Sequence, residues 1–141
     1  MKKLYNTAFI YALLALAAGL VYRELPKFFA YQGATRLSLL HVHFFVLGMV
    51  FFLLALILEK LFGISRGKGY KAFFLTYNLG LALTTGILAV RGVLDVLEAE
   101  LAPSLDASLA GLAGIGHILL TVGIVLFFLL LGRSLGSKKE G

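Results

Sequence analysis

The sequence predicts an all-α protein, a four-transmembrane-helix bundle with both termini cytoplasmic. Three observations carry that expectation. Hydrophobic residues make up 60% of the 141-residue chain and charged residues only 14%, a balance outside the range of soluble domains. The apolar residues are gathered into four runs of ~18 residues or more, the length that marks a spanning helix. Cations also cluster at alternate joints between the runs, as the positive-inside rule requires.

The four expected helices cover residues 5–22, 37–62, 72–97 and 109–131, a single integral-membrane domain over residues 1–141. Each is long enough for a ~30 Å hydrocarbon core at 1.5 Å per residue. Pro26 and Gly33 break the first joint, the glycines of 63–69 the second, and Pro103 with Ser104 the third. Ser104, ahead of Leu105 and Asp106, is placed to cap the fourth helix.

Lys2 and Lys3 precede the first run. Lys60, Arg66, Lys68 and Lys71 surround the second joint, and Arg133, Lys138 and Lys139 follow the fourth run. Glu24, Glu98, Glu100 and Asp106 fall in the other two joints. The net charge of +6 is therefore explained by topology, and no nucleic-acid partner is expected. The expected surroundings are membrane lipid, in the cytoplasmic (inner) membrane. Lys2-Lys3, an apolar stretch and Ala15-Leu16-Ala17 resemble a secretory signal peptide. The run continues through Leu20 and Val21, so an uncleaved helix is expected.

Three histidines, His41, His43 and His117, all lie inside apolar runs. An imidazole at bilayer depth is costly unless paired, hydrated or bound to a metal, which makes each a candidate site residue. With no cysteine in the chain, disulfides, thiolate ligation, iron–sulfur clusters and covalent c-type haem are excluded. Imidazoles without thiolates point first to haem iron and second to another transition metal.

At ~100° per residue, His41 and His43 project about 200° apart. The His41 face carries Ser38, Phe45, Gly48 and Phe52 and is expected to turn inward. The His43 face carries Leu39, Leu40, Val46, Leu47, Val50 and Leu54 and is expected to meet lipid, a second protomer or a second cofactor. His117 shares a small-sided face with Ala110, Ala113, Gly114 and Thr121, the kind of surface that permits close approach of a helix or a flat macrocycle. His41 lies ~6 Å and His117 ~12 Å from the outer core boundary, by helical rise. The face argument favours His41 as the partner of His117, with His43 kept as the alternative. Arg91, four residues before Asp95, is expected to form an intrahelical ion pair. Arg91 and Arg36, with Arg23 or Lys27, are also candidates for haem propionates.

The stretch Leu40-His41-Val42-His43-Phe44-Phe45-Val46-Leu47-Gly48-Met49 resembles the histidine–x–histidine helix of haem–copper oxidase and nitric oxide reductase catalytic subunits. That resemblance covers about fifteen residues. It implies that His41 corresponds to the high-spin-type haem ligand and His43 to the low-spin-type ligand. Three histidines are too few for two haems and a copper in one protomer. As a whole the chain resembles a family of small four-helix bacterial membrane proteins of unassigned function. The likeness runs through Tyr22-Arg23-Glu24, the His41/His43 helix, Val90-Arg91-Gly92 and the segment from Asp106 to His117.

The expectation is a membrane-embedded haem b protein for electron transfer or diatomic-gas binding, held by His117 with His41 or His43. A homodimer, quinol as partner and a haem-dependent oxidoreductase activity accompany it. The alternatives are a copper or zinc ion on all three imidazoles and a cofactor-free small transporter.

Overall fold

The computed structural model describes residues 1–137 and contains no strand among them. Lys138 and Lys139, counted above among the inner-side cations, lie outside the described residues. Helix α1 runs Lys2–Phe28. The second helix is composite: α2 (Leu37–His43), a π-helical stretch (Phe44–Val50) and α3 (Phe51–Phe62). A 3-10 turn at Ile64–Arg66 leads into α4 (Tyr70–Val96), and α5 spans Pro103–Ser137. Four helices are thus long and apolar enough to cross a membrane, and the chain is a multi-pass membrane protein by length and composition.

The helix ends follow local chemistry, with two departures from expectation. Helix α1 passes through Pro26 to Phe28. A proline in the last turn forfeits one hydrogen bond, and the chain closes beyond it through Phe29 N–H to Leu25 O (3.2 Å) and Tyr31 N–H to Pro26 O (2.8 Å). Helix α5 begins at Pro103 rather than after a Ser104 cap, because proline's fixed φ and missing N–H suit the first helical position. Gly63 ends α3 in the left-handed region (φ 63°), and its N–H bonds Glu59 O at 2.8 Å.

Packing falls into two tiers. In one half, Phe51, Phe52, Phe73, Tyr77 and Phe127 form an aromatic core, with Phe51 stacked on Tyr77 at 4.2 Å between centroids. Leu4, Ala8 and Ala15 bring α1 into the buried interior. In the other half a smaller cluster joins Ala18, Leu37, Leu40 and Val96. Helices α4 and α5 lie together along their length. Their backbones meet at Gly80 and Gly116: a Cβ on Gly80 would fall 2.6 Å from Leu120 N and 2.9 Å from Gly116 O. Small residues are what allow membrane helices to approach this closely.

The second helix packs on α1 through both halves, on α4 through α2, the π-helical stretch and the rings of Phe51 and Phe52, and on α5 through α3. Met1, Gly63, Arg66 and Ser134 line one cavity, so the N-terminus, the second joint and the end of α5 share one end of the bundle.

Gly116→Ala is expected to lower stability by about 1–3 kcal/mol, because the methyl group meets Thr84 and the α4 backbone. Gly111→Ala, where a Cβ meets nothing within 4 Å, should be neutral or mildly stabilising. Detergent-denaturation midpoints of the two variants check this.

Candidate functional site

His41 and His43 occupy the last turn of α2, just before the π-helical stretch. Such stretches are rare and often accompany functional sites. Within this one, the Tyr77 hydroxyl donates to Leu47 O at 2.8 Å, a side-chain donor inserted at the backbone ladder. His41 turns to α1. Its ring stacks on Tyr22 at 5.9 Å between centroids, and its Nδ1 is buried without a hydrogen-bond partner.

His43 and His117 are held differently. The Nδ1–H of His43 donates to Leu39 O at 2.8 Å, and that of His117 donates to Ala113 O at 2.8 Å. A carbonyl can only accept, so Nδ1 carries the proton in both rings. In the neutral imidazole Nε2 is then the unprotonated nitrogen, available to a ligand. His43 is partly exposed and His117 exposed.

The two anchored rings lie on flanks that turn toward each other. Phe51 stacks toward α4 and α5, whereas Phe52, one residue on, turns to Tyr11 of α1. That difference sets the sense in which the helices are arranged. On α2, Leu37 and Leu40 are buried, and His43 lies about 60° from Leu40, away from His41 and toward α5. On α5 the buried stripe through Gly116, Leu120 and Phe127 faces α4. His117 lies on its flank with the half-buried Ala113 and Ile124.

Depth agrees. Tyr77 stacks on Phe51, and its Cα would lie 2.9 Å from a Cβ on Gly123, which marks a common level. His43 precedes Phe51 by eight residues, most of them in the shorter-rise π-helical stretch, and His117 precedes Gly123 by six, at most roughly 12 Å and roughly 9 Å at the α-helical rise. The rings are level within about one helical turn. Below them α3 packs on α5. Above, α2 packs on α1 and α4 instead, so the second helix and α5 diverge on the side that holds both histidines. Beside the Gly116 contact, Thr84 Oγ1 is also buried without a partner.

The arginines are paired otherwise than expected. Arg91 does not pair with Asp95. Its guanidinium reaches α5, donating to Asp106 Oδ1 at 2.6 Å and Asp106 O at 2.7 Å. Asp95 instead binds Arg36, through the backbone N–H (2.9 Å) and Nη1 (2.8 Å). The physical reason is that α2 docks on the Gly92–Asp95 side of α4, with Thr35 donating to Gly92 O at 2.7 Å. Asp95 thereby satisfies a free donor at a helix start, a stabilising position for a carboxylate. Arg91 Nε is left buried and unbonded.

Both ion pairs, with Tyr31 and Pro103, line a cavity of about 660 Å³ at this end of the bundle. Arg23 and Lys27 stay on α1, both paired with Glu24, and do not join it. Among the described residues no three His, Cys, Asp or Glu side chains converge as a metal cage, in keeping with the opposed directions of His41 and His43. Sequence reasoning missed Asp106 as the partner of Arg91. The available signal was its place in the first turn of α5, directly after a short joint.

The model of the family described as Protein of unknown function (DUF2871) matches residues 1–134, and the chain belongs to that family. No curated protein and no solved structure matches.

A double-mutant cycle of Arg91→Gln with Asp106→Asn should show a coupling of ~0.2–1 kcal/mol in unfolding free energy, kept small because the Asp106 side chain is 57% exposed. The cycle of Arg91→Gln with Asp95→Asn should show a smaller coupling than this, because the two are helical neighbours whose charges are each bonded elsewhere.

Proposed function

We propose that this member of the DUF2871 family binds one b-type haem between the second helix and α5, where His43 and His117 would hold it, and that it carries electrons within the cytoplasmic (inner) membrane with both termini on the cytoplasmic side. One observation supports the reading above the rest. Two imidazoles on flanks turned toward each other, level within about a turn, each tie Nδ1 to the carbonyl four residues back and leave Nε2 free. Metal-ligating histidines characteristically have this second bond, which sets the tautomer, orients the ring and raises its basicity.

Helical faces alone favour His41 as the partner of His117; the pairing is taken here as His43 with His117. His41 stacks on Tyr22 against α1, on the other side of the second helix. Haem held by both imidazoles would suit electron transfer rather than the binding of oxygen, nitric oxide or carbon monoxide. When bound, haem supplies a reversible one-electron couple. The chain's own part is to fix both rings and to supply cationic partners for the propionates. Arg91 and Arg36 are the cations on the outer side of the two rings, and the unbonded Nε of Arg91 is a donor still to be satisfied. His117 is exposed, and a homodimer formed across this side of the bundle would cover the outer edge of the ring.

Protein purified from haem-sufficient cells in mild detergent should absorb as a b-type cytochrome whose bands sharpen on reduction. His43→Ala and His117→Ala should each lose most of the haem, while His41→Ala retains it. A colourless protein that takes up no haem on titration, or full retention in His117→Ala, overturns the proposal.

A further inference from the structure

We infer that the groove between α1 and α4 binds a neutral, membrane-soluble carbonyl compound of the quinone class. The groove encloses about 560 Å³ and lies where α1 and α4 are held apart by the second helix, on the side of the bundle away from His43 and His117. Phe44 contributes to its floor, Ala82 and Gly86 to the α4 wall, and none of the residues lining it is charged. Gly86 leaves open space: a Cβ there meets nothing within 4 Å.

Thr7, Thr85 and one cross-helix pair interrupt this apolar surface, and Thr85 spends its hydroxyl proton on Leu81 O. Tyr11 of α1 donates its hydroxyl proton to Asn78 Oδ1 of α4 at 2.8 Å, and Asn78 Nδ2 donates to Phe74 O at 2.7 Å. A primary amide carries two hydrogens, and among the described residues only this one is committed. The tyrosine oxygen likewise keeps a lone pair. The pair therefore presents one donor and one acceptor to the groove.

Its depth selects the ligand. Tyr11 lies nine residues beyond Lys2, and Asn78 eight beyond Tyr70, roughly 14 and 12 Å from the same end and close to the middle of a ~30 Å core. A charged headgroup does not reach that depth without large cost. An acyl chain reaches it but brings no acceptor, and the ester groups of a phospholipid stay at the interface. A quinone brings a carbonyl for the amide N–H, or in its reduced form a hydroxyl for the tyrosine oxygen. Its flat ring suits the side-by-side rings of Tyr11 and Phe44, 6.1 Å apart and tilted by 29°. This inference stands on the groove alone and does not require haem.

The test uses the full chain in phosphatidylcholine nanodiscs and an azido-benzoquinone with a decyl tail, photolysed and mapped by mass spectrometry. Saturable labelling of α1 and α4 residues that line the groove is expected, competed by unlabelled decyl-benzoquinone and unaffected by added phosphatidylcholine. Gly86→Leu, which fills open space, should abolish labelling, and Asn78→Leu should weaken binding roughly three- to tenfold. Gly111→Leu on α5 should leave it unchanged. Helix content and gel-filtration profile establish that each variant is folded. Labelling that survives Gly86→Leu, competition by phosphatidylcholine as effective as by the quinone, or no saturable labelling overturns the inference.

Discussion

The meeting of α4 and α5 at Gly80 and Gly116 is the contact on which the arrangement of the other helices rests. In lipid no hydrophobic force drives helices together, so packing and hydrogen bonds between them must do so. A backbone-to-backbone approach yields the greatest contact area. Its consequence is geometric as well as energetic. With α4 committed along α5, the second helix meets α1 and α4 along its length and α5 only through α3. That arrangement opens the side on which His43 and His117 stand, and the separation of α1 from α4 opens the groove behind it.

Polar groups in the spans obey a second constraint, since a buried donor without an acceptor is expensive where water is absent. Tyr11 with Asn78, Tyr77 with Leu47 O, and Thr85 with Leu81 O resolve it pairwise. The exceptions are His41 Nδ1, Thr84 Oγ1 and Arg91 Nε, all toward the end of the bundle that carries the histidines. The opposite half is packed by aromatic rings and, among the described residues, holds no buried side-chain polar atom left unbonded. The Arg36–Asp95 and Arg91–Asp106 pairs tie the start of α2 and the start of α5 to α4 at this end.

Much of the fold was legible from hydropathy. The second and third helices end within two residues of expectation, since a glycine-rich joint both breaks a helix and marks the membrane boundary. The first and fourth were expected too short, because the polar turns of α1 through Phe28 and the start of α5 at Pro103 lie beyond the apolar runs. For the candidate site, the opposed directions of His41 and His43 follow from helical rotation alone. The partner of Arg91 did not, because local spacing favours Asp95 and only the docking of α2 removes it. The π-helical stretch has no signature in periodicity, and neither does the Tyr11–Asn78 bond, which joins residues 67 positions apart.

The sequence by itself determined that the chain carries four segments long and apolar enough to cross a membrane, and that three imidazoles lie within them. Those are properties of residue type and of rotation within one helix, and lipid enforces them without reference to neighbours. Which flank of each helix meets which neighbour was decided only in the tertiary structure. It tied Asp95 to Arg36 and Asp106 to Arg91, and turned His41 onto Tyr22. The physical reason is that side-chain direction is local, whereas the order of helices around the bundle depends on where backbones approach most closely. That choice was made by Gly80 and Gly116, two residues whose importance lies in what they lack.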